Sequence, residues 1–127
     1  QFNNDTSATA GFAGTSAIVY NSSSVSLSVL GGLVHNRVAI SSNHTASASE
    51  YILGVTNVPI GIEFDATGFA NGQVVVVKDE SGAASGVDTI TLNASGAQTI
   101  DGLSEIYIES PYGSVLLYSN GTNWFIY

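Results

Sequence analysis

The chain has 127 residues and a mass of 13.0 kDa, the size of one domain with its own hydrophobic core. Only 9% of its residues are charged while 44% are hydrophobic, which excludes a disordered chain and leaves Ser, Thr, Asn, Gly and Gln to cover the surface. The net charge of −8, set against Arg37 and Lys78 alone, excludes nucleic-acid binding through a basic stripe, and the absence of Cys excludes disulfides and thiolate metal sites.

The opening stretch QFNNDTSATAGFAG reads as a flexible approach over residues 1–16, with a weak helical turn around Ser7 to Ala13 that Gly11 and Gly14 interrupt. No Met and no basic-then-apolar targeting segment opens it, so the chain is expected to be the C-terminal piece of a longer polypeptide. From residue 17 onward the patterning has period two almost everywhere, which predicts an all-β domain. A strand at SAIVY comes first. Val25, Leu27 and Val29 then alternate with Ser24, Ser26 and Ser28, giving one apolar and one hydroxyl face. LVHNRVAI follows the Gly31-Gly32 break, EYILGV and IGIEF flank a turn at Asn57 to Pro59, and QVVVVK follows Asn71-Gly72. TITL and EIYIES precede a closing pair of strands. About nine or ten short strands between Gly, Asn and Asp turns predict a β-sandwich of the jelly-roll kind over residues 17–127. The longest apolar runs, VVVV at Val74 to Val77 and WFIY at Trp124 to Tyr127, are far shorter than the ~20 residues of a membrane-spanning helix.

The closing SVLLYSNGTNWFIY is the sharpest local expectation. Asn120-Gly121 is a preferred pair for a two-residue type I′ turn, which would set Leu117 opposite Trp124 and Leu116 opposite Phe125. Leu117, Trp124, Val115 and Ile126 then share one side of the ribbon, and Leu116, Phe125, Tyr118 and Tyr127 share the other. Both sides are largely apolar, and the Val74 to Val77 run likewise turns two valines outward. A chain of this length hardly encloses both faces of two sheets, so the second face, carried by Leu116, Tyr118, Phe125 and Tyr127, is expected to be covered by another subunit or by a loop.

The stretch from Gly72 onward resembles the C-terminal domains of bacteriophage tail fibres, tail needles and related virion spikes. The resemblance rests on Gly-x-Val-x-x-Val-Lys-Asp at Gly72 to Asp79, Thr-Ile-Asp-Gly at Thr99 to Gly102, Tyr-x-Ser-Val at Tyr112 to Val115, and Gly-Thr-Asn-Trp at Gly121 to Trp124. It covers roughly residues 50–127, and it is closest in kind to the knob at the tip of a short-tailed phage's tail needle. Such a resemblance implies a tumour-necrosis-factor-like jelly roll that forms a homotrimer on an upstream shaft linking it to other virion tail proteins. It further implies a place at the virion tail tip, outside the host cell, and a part in portal plugging, host-surface contact and genome ejection. The alternative is a receptor- or glycan-binding, lectin-like domain of a tail fibre or tailspike.

No Gly-x-Ser-x-Gly, Walker or His-Glu-x-x-His motif is present, and no cofactor is expected. Glu105 and Glu109 flank Tyr107 on one strand face about 13 Å apart, too far for a glycosidase pair unless Asp101 joins one of them, so the acids, Asp79 and Glu80 included, are expected to be solvated and the protein non-enzymatic. DATGFANG offers Asp65 and Asn71 without the bidentate Glu of a calcium loop. His35 and His44 reach a zinc ligand count only if three copies pool them, and His44 in SSNHTAS reads as an unpaired surface residue. Five Asn-x-Ser/Thr triplets, at Asn4, Asn21, Asn43, Asn93 and Asn120, follow largely from composition. The candidate ligand-binding residues are therefore Arg37, beside Asn36 and His35, together with Lys78. At a subunit boundary their charge would hold a small anion or a neighbour's acid, the ordinary alternative being a structural ion pair.

Overall fold

A computed structural model describes residues 18–21, 24, 26–29 and 32–127. The helical turn expected at Ser7 to Ala13, the 1–16 approach and Val25 lie outside the described residues. The chain divides into two compact units, one up to Val34 and one from His35 to Tyr127. In the first, β1 (Ile18–Asn21) and β2 (Ser26–Val29) form an antiparallel pair with Ile18 opposite Val29. These are the strands expected at SAIVY and along the Ser/Val/Leu alternation.

The second unit is an all-β sandwich, with one 3-10 turn at Ala66–Gly68. Its strands are β3 (Arg37–Ile40), β4 (His44–Thr45), β5 (Ile52–Val55), β6 (Ile60–Phe64), β7 (Val74–Asp79), β8 (Ile90–Ala94), β9 (Glu105–Ile108), β10 (Ser114–Ser119) and β11 (Trp124–Ile126). One sheet has the order β11-β10-β7-β5-β3 and the other β4-β6-β8-β9. Every stretch with period-two patterning supplied a strand. Only β4, two residues long, was not anticipated.

Both sheets are mixed. From β3 to β8 the chain switches sheet at each strand, so the strands that meet side by side, β3 with β5, β5 with β7, β4 with β6 and β6 with β8, run parallel. The crossover that a parallel pair requires is supplied here by a strand of the facing sheet. Antiparallel pairing enters only with β8–β9, β7–β10 and β10–β11. The two-sheet sandwich is as expected, but these strand directions depart from those of a jelly roll, whose strands are antiparallel.

The core lies between the sheets. Leu53, Val55, Val75, Val77, Leu117 and Trp124 from the first sheet meet Ile60, Ile62, Phe64, Ile90, Leu92 and Ile108 from the second. Trp124 is fully buried, with Phe69 edge-on at 4.8 Å between ring centroids.

The closing hairpin differs in register by two. Ser119 pairs with Trp124 and Leu117 with Ile126, around a four-residue loop at 120–123. Asn120 accepts the backbone N–H groups of Thr122 and Asn123 on its side-chain oxygen, at 2.9 and 2.7 Å, and only Gly121 has positive φ. A side-chain turn thereby replaces the expected backbone turn. An even shift leaves every side chain on its expected face, so Leu117 and Trp124 point inward and Leu116, Tyr118, Phe125 and Tyr127 outward. The two-residue turn is at Asp101-Gly102 instead: both have positive φ, 48° and 86°, and Ile100 and Leu103 exchange hydrogen bonds of 2.7 and 2.9 Å. This turn abuts β11, with Asp101 N–H donating to Trp124 O and Trp124 N–H to Thr99 O, so the last strand is held on both sides.

Candidate functional site

The outer face of the first sheet gathers most of the residues singled out in the sequence. Register places Phe125, Tyr118 and Val74 in one row across β11, β10 and β7, and Tyr127, Leu116, Val76, Ile52 and Arg37 in the next. Tyr118 stacks on Phe125 at 5.3 Å between centroids and meets Tyr127 edge-on at 6.4 Å. Val74 and Val76 turn outward as expected while Val75 and Val77 fill the core. None of the seven apolar side chains in these rows is fully buried, and Tyr127 is 80% exposed. Ile52 was not foreseen as part of this face, because EYILGV carries no hint of which sheet it joins.

A polar cluster closes one end of that face. Arg37 Nε donates to Glu80 Oε1 at 2.8 Å and Nη2 to Glu80 Oε2, a bidentate pair lying over Gly54. A Cβ at Gly54 would come within 2.7 Å of Glu80 Oε2, so the bare backbone of this strand glycine is what lets the carboxylate lie down. The hydrogen bond and charge of Glu80 raise the Arg37 pKa, and the same bond holds Glu80 below the ordinary carboxylate range against partial burial. Lys78 stands on the same face, donates to Tyr112 O and lies 5.9 Å from the centroid of that ring. The two cations are thus brought to one end of one face with Glu80 between them. His35 and Asn36 are not: His35 stacks on Tyr51 at 4.0 Å, and Asn36 Nδ2 donates to Ser49 O at 2.7 Å while its carbonyl accepts from Tyr51 and Ile52. The guanidinium expected to take a small anion is forked onto an acid of its own chain. Glu80 was missed as its partner, since forty-three residues separate them in sequence.

Other groups differ from the sequence expectation. Asp79 is not a solvated acid but fully buried. Burial pushes its pKa up, yet hydrogen bonds from the Ser81 hydroxyl and from Ala84, Tyr112 and Gly82 N–H outweigh that and hold the carboxyl below its ordinary value. Asp79 therefore ties the loop after β7 to the Pro111-Tyr112 turn. His44 is not unpaired; its Nε2 lies 3.0 and 3.1 Å from the two Glu50 carboxylate oxygens. Asp65 caps the 3-10 turn by accepting from Thr67 N–H and hydroxyl and from Gln98 Nε2, bonds that lower its pKa, Gln98 contributing most. Tyr107 donates to Glu105, which raises its pKa. Among the described residues no cluster of three His, Cys, Asp or Glu is placed to hold a metal ion.

No family model, curated protein or solved structure matches this chain.

Proposed function

We propose that this chain is a trimeric tip, or knob, of a bacteriophage tail needle or tail fibre. In this reading it is a non-enzymatic virion structural protein that helps plug the portal, contacts the host envelope and takes part in genome delivery. One observation carries the assembly: the first sheet turns five aliphatic and aromatic side chains of β7, β10 and β11, with Ile52 and Tyr127 beside them, away from its own core. An apolar patch of this kind marks an interaction surface, and a second copy of the chain is the occupant that closed symmetry makes available. The role comes from the resemblance. Its four short motifs meet in two pairs: β7 and the start of β10 join where Asp79 accepts the Tyr112 N–H, and the Asp101-Gly102 turn joins the end of the 120–123 loop where Trp124 bonds to Thr99 and Asp101.

Sedimentation velocity at concentrations up to about 100 µM tests the assembly. The expected species has three times the 13.0 kDa chain mass. A single-chain species at the highest concentration overturns the reading. Gold-labelled antibodies against this chain should mark the tail tip of virions that carry it, and label elsewhere on the particle overturns the role while leaving the assembly standing.

A further inference from the structure

Among the described residues the outermost strands of the two sheets are not equally closed. The outer edge of β11 is bonded by the Asp101-Gly102 turn, and β4 is two residues long. β3 and β9 are open, and β3 carries one charged side chain, Arg37, already forked onto Glu80. β9 is different. It runs Glu105, Ile106, Tyr107, Ile108, with Glu109 next, so an acid stands on either side of an aromatic ring along its exposed face.

The direction of its backbone groups follows from the register. Ile60 N–H donates to Thr89 O and Ser95 N–H to Phe64 O, so the odd-numbered residues of β8 bond to β6. The even-numbered ones turn to β9, where Ile90 and Leu92 face Ile108 and Ile106, and Ala94 N–H donates to Ser104 O at 2.9 Å. The N–H and C=O groups of Glu105 and Tyr107 therefore point away from the sheet, and none has a partner among the described residues. Ile108 is buried, whereas Tyr107 is 48% exposed and donates its hydroxyl to Glu105. Both cations of the chain, Arg37 and Lys78, stand on the first sheet, so no basic side chain bonds to this row.

We propose that the free edge of β9 takes up an extended segment of a partner protein as a fifth strand, one with basic residues four apart about an aromatic or β-branched residue. Backbone hydrogen bonds with Glu105 and Tyr107 supply the attachment, and alternate side chains supply the choice of partner. In an antiparallel pair the residues opposite Glu105 and Glu109 lie on one face about 13 Å apart, so Lys or Arg there meets a carboxylate at each end while the residue between them covers Tyr107. The two intervening residues turn inward beside Ile106 and Ile108 and are apolar. A second copy of the chain is a poor occupant. Paired antiparallel about Tyr107, it sets each Glu105 opposite a Glu109, and like charges directly opposed destabilise a strand pair. The acids thus act as a filter that keeps like edges apart and admits a cationic strand. The site lies on the sheet away from the apolar rows and does not rest on the trimeric reading.

Titration of the ¹⁵N-labelled chain with the peptide acetyl-Thr-Lys-Val-Tyr-Val-Lys-Thr-amide at up to about 1 mM tests the proposal, with amide hydrogen exchange measured on the same samples. The expected result is shifts at Glu105 to Glu109 and exchange at the Tyr107 amide slowed about tenfold or more. The peptide with Glu in place of both Lys should not bind. N-methylation of the peptide Tyr removes the N–H that meets Tyr107 O and should abolish binding, whereas N-methylation of one Val, whose N–H points away from β9, should not. Glu105→Gln combined with Glu109→Gln should weaken binding about tenfold, and raising salt from about 50 to about 500 mM should weaken it for the unmodified chain. An unchanged Trp124 indole signal shows that the fold persists in the variant. Equal binding of the acidic peptide, shifts confined to the first sheet, or no shifts with either peptide overturns the proposal. So does a Tyr107 amide already protected in the chain alone, and protection that grows with concentration would give the edge to a second copy.

Discussion

Trp124 on β11 and Phe64 on β6 meet edge to face, their ring centroids 5.2 Å apart at 72°, and so join the outermost strand of one sheet to the middle of the other. The indole touches Phe69 in the same manner, and its N–H has no acceptor among the described residues. What the residue contributes is therefore packing. Trp124→Ala should cost about 3–5 kcal/mol, because the cavity opens at the junction of β11, β6 and the Asp101-Gly102 turn. Trp124→Phe should cost well under half of that, since the unpaired N–H returns part of its desolvation cost when removed. Urea denaturation of both variants measures the difference.

Asp79 makes stability depend on acidity. Both its oxygens receive only donors, Oδ1 from Ser81 N–H and hydroxyl and Gly82 N–H, Oδ2 from Ala84 and Tyr112 N–H. In Asp79→Asn one of these sets would face an NH₂ group in either amide orientation, so the substitution should cost about 3 kcal/mol or more despite its matching shape. The folded-state pKa lies below that of the unfolded chain, about 3.9, so the contribution is fully present above roughly pH 4 and is lost as pH falls through the depressed folded value. Asp65 and Glu80 are shifted in the same direction, so Asp79→Asn should flatten the acid limb of a stability-against-pH curve without abolishing it.

Period-two alternation made the strands legible, and with them which side chains face the core, because burial acts on every second residue whatever sheet the strand joins. It says nothing of direction. A strand of EYILGV or IGIEF looks the same in a parallel and an antiparallel pair, so the alternation of the chain between sheets, and with it the place of Ile52 on the outer face, was hidden. The apolar rows of β10 and β11 survived a misplaced turn because the error in register was even. The Arg37–Glu80 pair and the buried state of Asp79 were not legible, since each depends on residues far along the chain. A partial signal was present: Ser81 and Gly82 just after Asp79 suit a turn closed by an aspartate side chain, and Gly54 inside a strand suggests close approach of another group.

Two turn glycines should separate conformational cost from crowding. Gly102 and Gly121 have φ of 86° and 84°, and a Cβ at either would meet nothing within 4 Å. Alanine at each should therefore cost about 1 kcal/mol from the left-handed backbone alone. Gly68 and Gly86 are equally open but lack positive φ, so alanine there should be neutral or stabilise by up to about 1 kcal/mol through the unfolded chain. Thermal denaturation of the four variants gives the contrast directly. Equal losses at all four sites would contradict it.

Leu116 is the most informative position on the outer face of the first sheet, because it lies between Tyr127 and Val76 in the middle of the apolar rows while its neighbour Leu117 fills the core. A carboxylate introduced there points away from the core and adds to an already negative chain, so Leu116→Asp should leave a folded single unit with an unchanged Trp124 emission spectrum. In an assembly that closes over this face, three such charges would be buried without partners. The sedimenting mass should then fall to that of one chain. Arg37→Ala acts differently: the pair with Glu80 is partly exposed and lies at the end of the face, so its loss should leave the mass unchanged and alter only the salt dependence of assembly. If the unmodified chain assembles, Leu116→Asp sediments like it and Arg37→Ala falls to the mass of one chain, the polar cluster and not the apolar rows holds the copies together.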